Sequence, residues 1–187
     1  MNTRIISFLI SLALFLSTEN FLSATGVLSS FSDLIQESQA VVVGEVLDQK
    51  SFSDNDKIYT AYRVQIKDDI VDSLSTQEIT VVVPGGVYGD IGQYYSIAPT
   101  IKPSEEALFF LKESHFYDAF EITDFVAGKY DIINYEGTKL IFNESLIDYF
   151  SQGIELSKEQ QFKQMTENSQ FHLETFKKQI QQEWNKK

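Results

Sequence analysis

The chain has 187 residues, no cysteine and a formal net charge of −12, with 27 acidic against 15 basic side chains. The lack of cysteine removes disulfides, thiol catalysis and thiolate metal sites together, and the acidity opposes nucleic acid and anionic membranes as partners. A chain of this length forms one domain that buries most of its apolar surface without covalent staples.

Residues 1–24 carry Arg4, an apolar run from Ile5 to Leu16 and a small-residue close at Leu22-Ser23-Ala24. This is the pattern of a secretory leader cleaved near Ala24. A bilayer span needs about 20 apolar residues, more than this run supplies, so a permanent anchor is the weaker reading. The expectation is an exported protein, periplasmic or secreted, without stable membrane insertion. Removing the leader takes away Arg4 and Glu19, so the net charge stays at −12.

Ser30-Phe31-Ser32-Asp33 fits a capping-box start, and Phe31, Leu34 and Ile35 share a helical face, which predicts a short amphipathic helix over 31–38 lying against a sheet. Ala40 to Leu47, AVVVGEVL, reads as a strand, with Gly44 marking a bulge or close backbone approach. Ser51 to Lys57 is polar and reads as a loop. Ile58, Thr60, Tyr62, Val64 and Ile66 then alternate onto one strand face, predicting a hairpin with the preceding strand. Ile79 to Val83 is a β-branched strand that runs into Pro84-Gly85-Gly86, with Gly89 and Gly92 close behind. Residues 87–103 show no clear period.

Ala107 to Leu111, ALFFL, is a short apolar strand, and Phe125 to Ile133 with Thr138 to Phe142 predicts a last hairpin around Glu136-Gly137. Five or more short strands argue for a small barrel or sandwich. Beyond Asn143 the composition turns polar. Ser157 to Gln160 offers a second capping box, and Leu173, Phe176, Ile180 and Trp184 form the stripe of an amphipathic C-terminal helix. Packing of that stripe on the barrel is the plainer reading, and binding of a partner helix the alternative. The domain plan is a leader over 1–24, a mainly β barrel over 25–143, and a polar connection with a packed helix over 144–187.

The segments SQAVVVGEV, IYTAYRVQI, VVVPGGVYGDIGQ with the downstream Ala98-Pro99, EEALFFL, FVAGKYDI and LETFKKQI together resemble a family of exported bacterial proteins of unknown function. The resemblance spans most of residues 31–182, and its most specific part is the Pro-Gly-Gly stretch. It departs from the family where a glycine is usual before the glutamate of the short apolar strand, a place that Ser104 or Glu105 occupies here, and in a longer, more polar stretch over 143–168. The resemblance implies an OB-like barrel of five strands. The start of the first strand, Gln39 to Val43, is also distantly similar to the barrel of the tissue inhibitors of metalloproteinases. Those proteins hold the protease zinc through an N-terminal cysteine, which this chain lacks, so only the scaffold carries over.

No catalytic constellation is legible. His115 lies in a polar segment between strands and His172 starts the last helix, neither within a nucleophile motif. Glu105 and Glu106 read as surface and turn residues. Asp54-Asn55-Asp56 lacks the glycine and terminal glutamate of a calcium loop, and no lysine follows the glycines as a phosphate cradle requires. The expectation is therefore no cofactor and no metal. The candidate binding surface is Pro84, Gly85, Gly86, Tyr88, Gly89, Gly92, Tyr94 and Tyr95, since tyrosines give amphipathic contact area and glycines admit a partner to the backbone. The plainer reading gives those glycines to positive φ angles and packs the tyrosines on the barrel. The functional expectation is an exported, non-enzymatic module that recognises a protein or peptide. Its alternatives are a modulator of an extracytoplasmic metalloprotease and a hydrolase using His115 with a carboxylate.

Overall fold

The computed structural model describes residues 30–143 and 157–187. The expected leader and most of the polar connection, 144–156, lie outside the described residues. Helix α1 (Phe31–Glu37) precedes strands β1 (Ala40–Asp54), β2 (Lys57–Asp69) and β3 (Glu78–Pro84). A small ribbon, β4 (Gly86–Tyr88) and β5 (Ile91–Gln93), follows. Next come β6 (Glu106–Glu113), β7 (Phe120–Ile122), a 3-10 turn (Phe125–Gly128), β8 (Lys129–Tyr135) and β9 (Thr138–Phe142). Helix α2 (Lys158–Glu167), a second 3-10 turn (Ser169–Phe171) and helix α3 (Leu173–Trp184) end the chain.

Strands pair in the order β1-β2-β3-β7-β6, and β6 returns to β1, so five strands close a barrel. All of these pairs are antiparallel except β3 with β7. Strand β6 divides one edge between two partners: Leu111 to Glu113 pair with β7, and Ala107 to Phe109 pair with β8. The β8–β9 hairpin thereby leaves the barrel wall and joins the layer outside it. The mainly β barrel with a leading and a closing helix is the expected fold class.

Two apolar layers share β1 and β6. Val42, Val46, Val64, Val81, Phe109 and Leu111 fill the barrel, while Val41, Val43, Leu108 and Phe110 face outward and meet Leu34, Ile35, Phe176 and Ile180 of the helices. Over Ala40–Val43 and Ala107–Leu111 these strands therefore have no wet face, which is why AVVV and ALFFL run unbroken instead of alternating. Both capping boxes form, Ser30 with Asp33 and Ser157 with Gln160. At Asn168 the chain breaks α2 from α3, and its side chain caps the intervening turn. At Gly44 the β1–β2 register shifts as expected, and a Cβ there would sit 2.3 Å from Val64 Cγ1.

Three expectations need correction. Ser51 to Asp54 is strand, not loop: β1 and β2 continue as a two-stranded arm whose turn is only Asn55-Asp56, both at positive φ (47° and 62°). Cross-strand pairing sustains the arm, in which Ile58 and Thr60 are buried and Phe52 stacks on Tyr59. Phe125 to Gly128 is a 3-10 turn and not the start of a strand, because Asp124 and Phe125 both take φ of 51°. Glu105 is not a surface residue: its carboxylate is mostly buried and lies 2.9 Å from the buried Lys129 Nζ, which also contacts Asp131.

Candidate functional site

Pro84 ends β3, and Gly85 and Gly86, at φ of 102° and 129°, swing the chain away into the β4–β5 ribbon. Few L side chains adopt these angles. The reversal is clamped from the arm. Gly85 N–H donates to the Ile58 carbonyl at 2.7 Å, and the Thr60 hydroxyl donates to the Gly85 carbonyl at 2.7 Å and lies 3.0 Å from Ser51 Oγ. A Cβ on Gly86 would stand 2.2 Å from Thr60 Oγ1. Gln93, paired with Gly86 at the base of the ribbon, accepts from Ile58 N–H at 2.8 Å and donates to the Asp56 carbonyl at 3.0 Å. Its amide thus ties the ribbon to the turn of the arm.

The ribbon carries its apolar side chains outward. Val87, Tyr88 and Ile91 are exposed, Tyr94 beyond them is 88 % exposed, and Ile97 continues the strip. Gly89 stands in the turn between β4 and β5, and Gly92 lies within β5. Neither Tyr88 nor Tyr94 packs on the barrel, contrary to the plainer expectation for the tyrosines; only Tyr95 is half-buried.

Beside the strip a cleft of about 430 Å³ opens on the outer face of the barrel. Its base follows from register. Val81 and Val83 belong to the core, whereas Val82 projects the other way, next to Glu121, which in turn pairs with Lys112. Tyr59 lies opposite Pro84. Tyr95, Ile97 and Phe125 contribute walls, and Lys57 stands at the rim. A smaller hollow of about 190 Å³ lies beside it, sharing Pro84 and Tyr95 and lined also by Gly85, Gly86 and Tyr94. Of the eight candidate residues, Pro84 and Tyr95 therefore line the main cleft, and Gly85, Gly86 and Tyr94 line only the smaller one. Tyr88, Gly89 and Gly92 lie in neither lining.

His115 also enters the cleft. Its Nδ1 lies 3.0 Å from Glu121 Oε1, which accepts from Ser114 Oγ at 3.0 Å as well. The ring packs on Phe116, with centroids 3.9 Å apart, and meets Tyr59 edge-on. A carboxylate on Nδ1 fixes the ring orientation and leaves Nε2 facing outward from that bond. No hydroxyl reaches Nε2 among the described residues. Lys57 and Lys112 have no ion pair or hydrogen bond at Nζ among the described residues. His172 serves the fold instead: it caps α3, bridges to Leu140, and its Nε2 lies 2.8 Å from the Thr166 carbonyl.

No family model matches the chain, nor does any curated protein or solved structure. The position of the cleft is informative by itself. Counting only barrel strands, it lies on the face of the second and third, between the arm joining the first two and the Ser114–Ala119 loop joining the last two. OB barrels place ligands on this face. Among the described residues, no helix is long and apolar enough to cross a membrane. Sequence reasoning missed Lys57, Tyr59, Ile97, Lys112, Glu121 and Phe125. The available signal was the projecting hairpin arm, whose extent depends on reading SFSD as strand.

Proposed function

We propose that the protein is an exported, non-enzymatic module that binds a protein or peptide through the cleft and the apolar strip along 87–97. The observation carrying this reading is the strip itself. Val87, Tyr88, Ile91, Tyr94 and Ile97 expose their side chains on consecutive structure beside a cleft of ligand size, and apolar surface gathered this way marks interaction sites. Export is supported by the leader pattern of residues 1–24 and by the resemblance of the Pro-Gly-Gly stretch to exported proteins. The test is capture of a partner from the exported fraction with wild-type protein, compared with a Tyr88→Ala, Tyr94→Ala, Tyr95→Ala triple variant. Loss of the partner with an unchanged unfolding curve supports the reading, and equal capture by both proteins refutes it.

The His115–Glu121 pair favours a second reading, a hydrolase in which His115 Nε2 takes a proton from water as that water attacks an ester or amide carbonyl. The test is a panel of ester, glycoside and peptide substrates. If His115→Ala leaves every detected activity intact, this reading falls. The scaffold similarity alone supports metalloprotease modulation, and unchanged protease turnover with excess protein removes that option.

A further inference from the structure

The cleft holds two cations that the fold does not use. Lys57 and Lys112 both line it, and neither ammonium has an ion pair or hydrogen bond among the described residues. Lys67, Lys129, Lys139, Lys177 and Lys186 pair with carboxylates, and Lys57 and Lys112 differ from other lysines unpaired among the described residues, such as Lys50 and Lys102, in lining a cleft. The one carboxylate in the cleft lining among the described residues, Glu121, is engaged by Ser114 and His115 instead. Between the two lysines the base is apolar, with Val82, Pro84 and Ile122.

Strand register places the cations. Lys112 pairs with Glu121, Glu121 with Val82, and Val82 with Ala61, so β6 and β2 are three strand spacings apart, or about 14 Å. Lys57 lies further along β2 from Ala61 by roughly 13 Å at strand rise, so the two Cα atoms stand near opposite ends of a diagonal of about 20 Å. An extended chain covers that span in about six residues.

Building on the binding function proposed above, we infer that the cleft takes an extended peptide segment with a carboxylate near each end and apolar side chains between. One carboxylate meets Lys112 and the other Lys57, while the apolar residues lie on Val82 and Pro84 under Tyr95 and Phe125. The net negative charge of the chain repels polyanions, but at physiological salt its reach is about 8 Å, so two local ammonium groups set the preference within the cleft.

The experiment uses a blocked hexapeptide with aspartate at both ends and four apolar residues between, its analogue with asparagine at both ends, and the Lys57→Met and Lys112→Met variants, which keep the apolar stems. Binding is followed by NMR shifts of the full protein at low and high salt. The expected result is at least tenfold tighter binding of the aspartate peptide, weakening with salt, a loss of about threefold to tenfold in each lysine variant, and shifts centred on Val82, Tyr95 and Phe125. Equal affinity for both peptides, indifference to both lysine variants, or no binding overturns the inference. If the peptide fails while capture of a tyrosine-dependent partner succeeds, only this inference falls. If both fail, the binding function falls with it.

Discussion

Gly86→Ala tests whether the Pro-Gly-Gly turn is a structural clamp. The new Cβ would stand 2.2 Å from Thr60 Oγ1 and 2.7 Å from Ser51 Oγ, at a φ of 129° that alanine rarely adopts. Backbone strain of this kind costs about 1–3 kcal/mol. Overpacking costs about another 1–3 kcal/mol, since Thr60 is buried and its hydroxyl is committed to the Gly85 carbonyl. A loss of about 3–5 kcal/mol is expected, or roughly 10 °C in melting temperature for a chain of this size. Urea unfolding followed through Trp184, the single tryptophan, reads the change. The decisive comparison is a cycle with Thr60→Ala, which costs about 1–2 kcal/mol alone by orphaning the carbonyl but removes the atom that the new methyl strikes. The double variant should therefore fall short of the sum of the single losses by about 1–2 kcal/mol. Strict additivity, or a Gly86→Ala loss below about 0.5 kcal/mol, refutes the clamp.

Ile180→Ala empties a fully buried site where α3 meets the barrel, and should cost about 2–5 kcal/mol by urea unfolding. Burial pushes the Tyr130 hydroxyl up to about 12. The unfolded chain ionises near pH 10 while the folded one does not, so stability from this group holds below pH 10 and falls by about 2–3 kcal/mol as pH rises toward 12. Tyr130→Phe should remove that alkaline slope, and an unchanged slope contradicts the assignment. Asn143 is 1 % exposed and donates from Nδ2 to the carbonyls of Val126, Ala127 and Lys129. Asn143→Asp sets a carboxylate against three acceptors and should cost about 3 kcal/mol or more at pH 7, with part recovered at low pH as the carboxyl protonates and regains a donor.

Features governed by neighbours in sequence were legible, and features governed by pairing were not. The two capping boxes, the Gly44 bulge and the α3 stripe each depend on a few adjacent residues, and all are present as read. The arm over Ser51–Asp54 is a strand because it is hydrogen-bonded to Lys57–Thr60, and the composition of SFSD carries no trace of that partner. FVAG has strand-like residues, yet a Cβ on Gly128 would stand 2.0 Å from the Thr123 carbonyl, a crowding set by the preceding turn. The tyrosines of the ribbon were found because they adjoin an unusual run of glycines. His115 looked isolated because its carboxylate, Glu121, reaches it only when the β6–β7 loop folds back.

The barrel is closed by its shortest strand. Strand β7 has three residues and meets β3 through only Val81 with Phe120 and Val82 with Glu121, while β1 and β2 are paired along nearly their whole length. Opening therefore begins at this seam, and amides of Phe120 to Ile122 should exchange with solvent ahead of those in the other barrel strands. Val82 and Glu121, on opposite sides of the seam, both belong to the lining of the cleft. Whatever occupies the cleft only when the seam is closed rivets it shut, raising its opening free energy by RT ln(1 + L/Kd), where L is the free ligand concentration. Exchange rates in β7 are thus a label-free gauge of ligand, readable before the ligand is known.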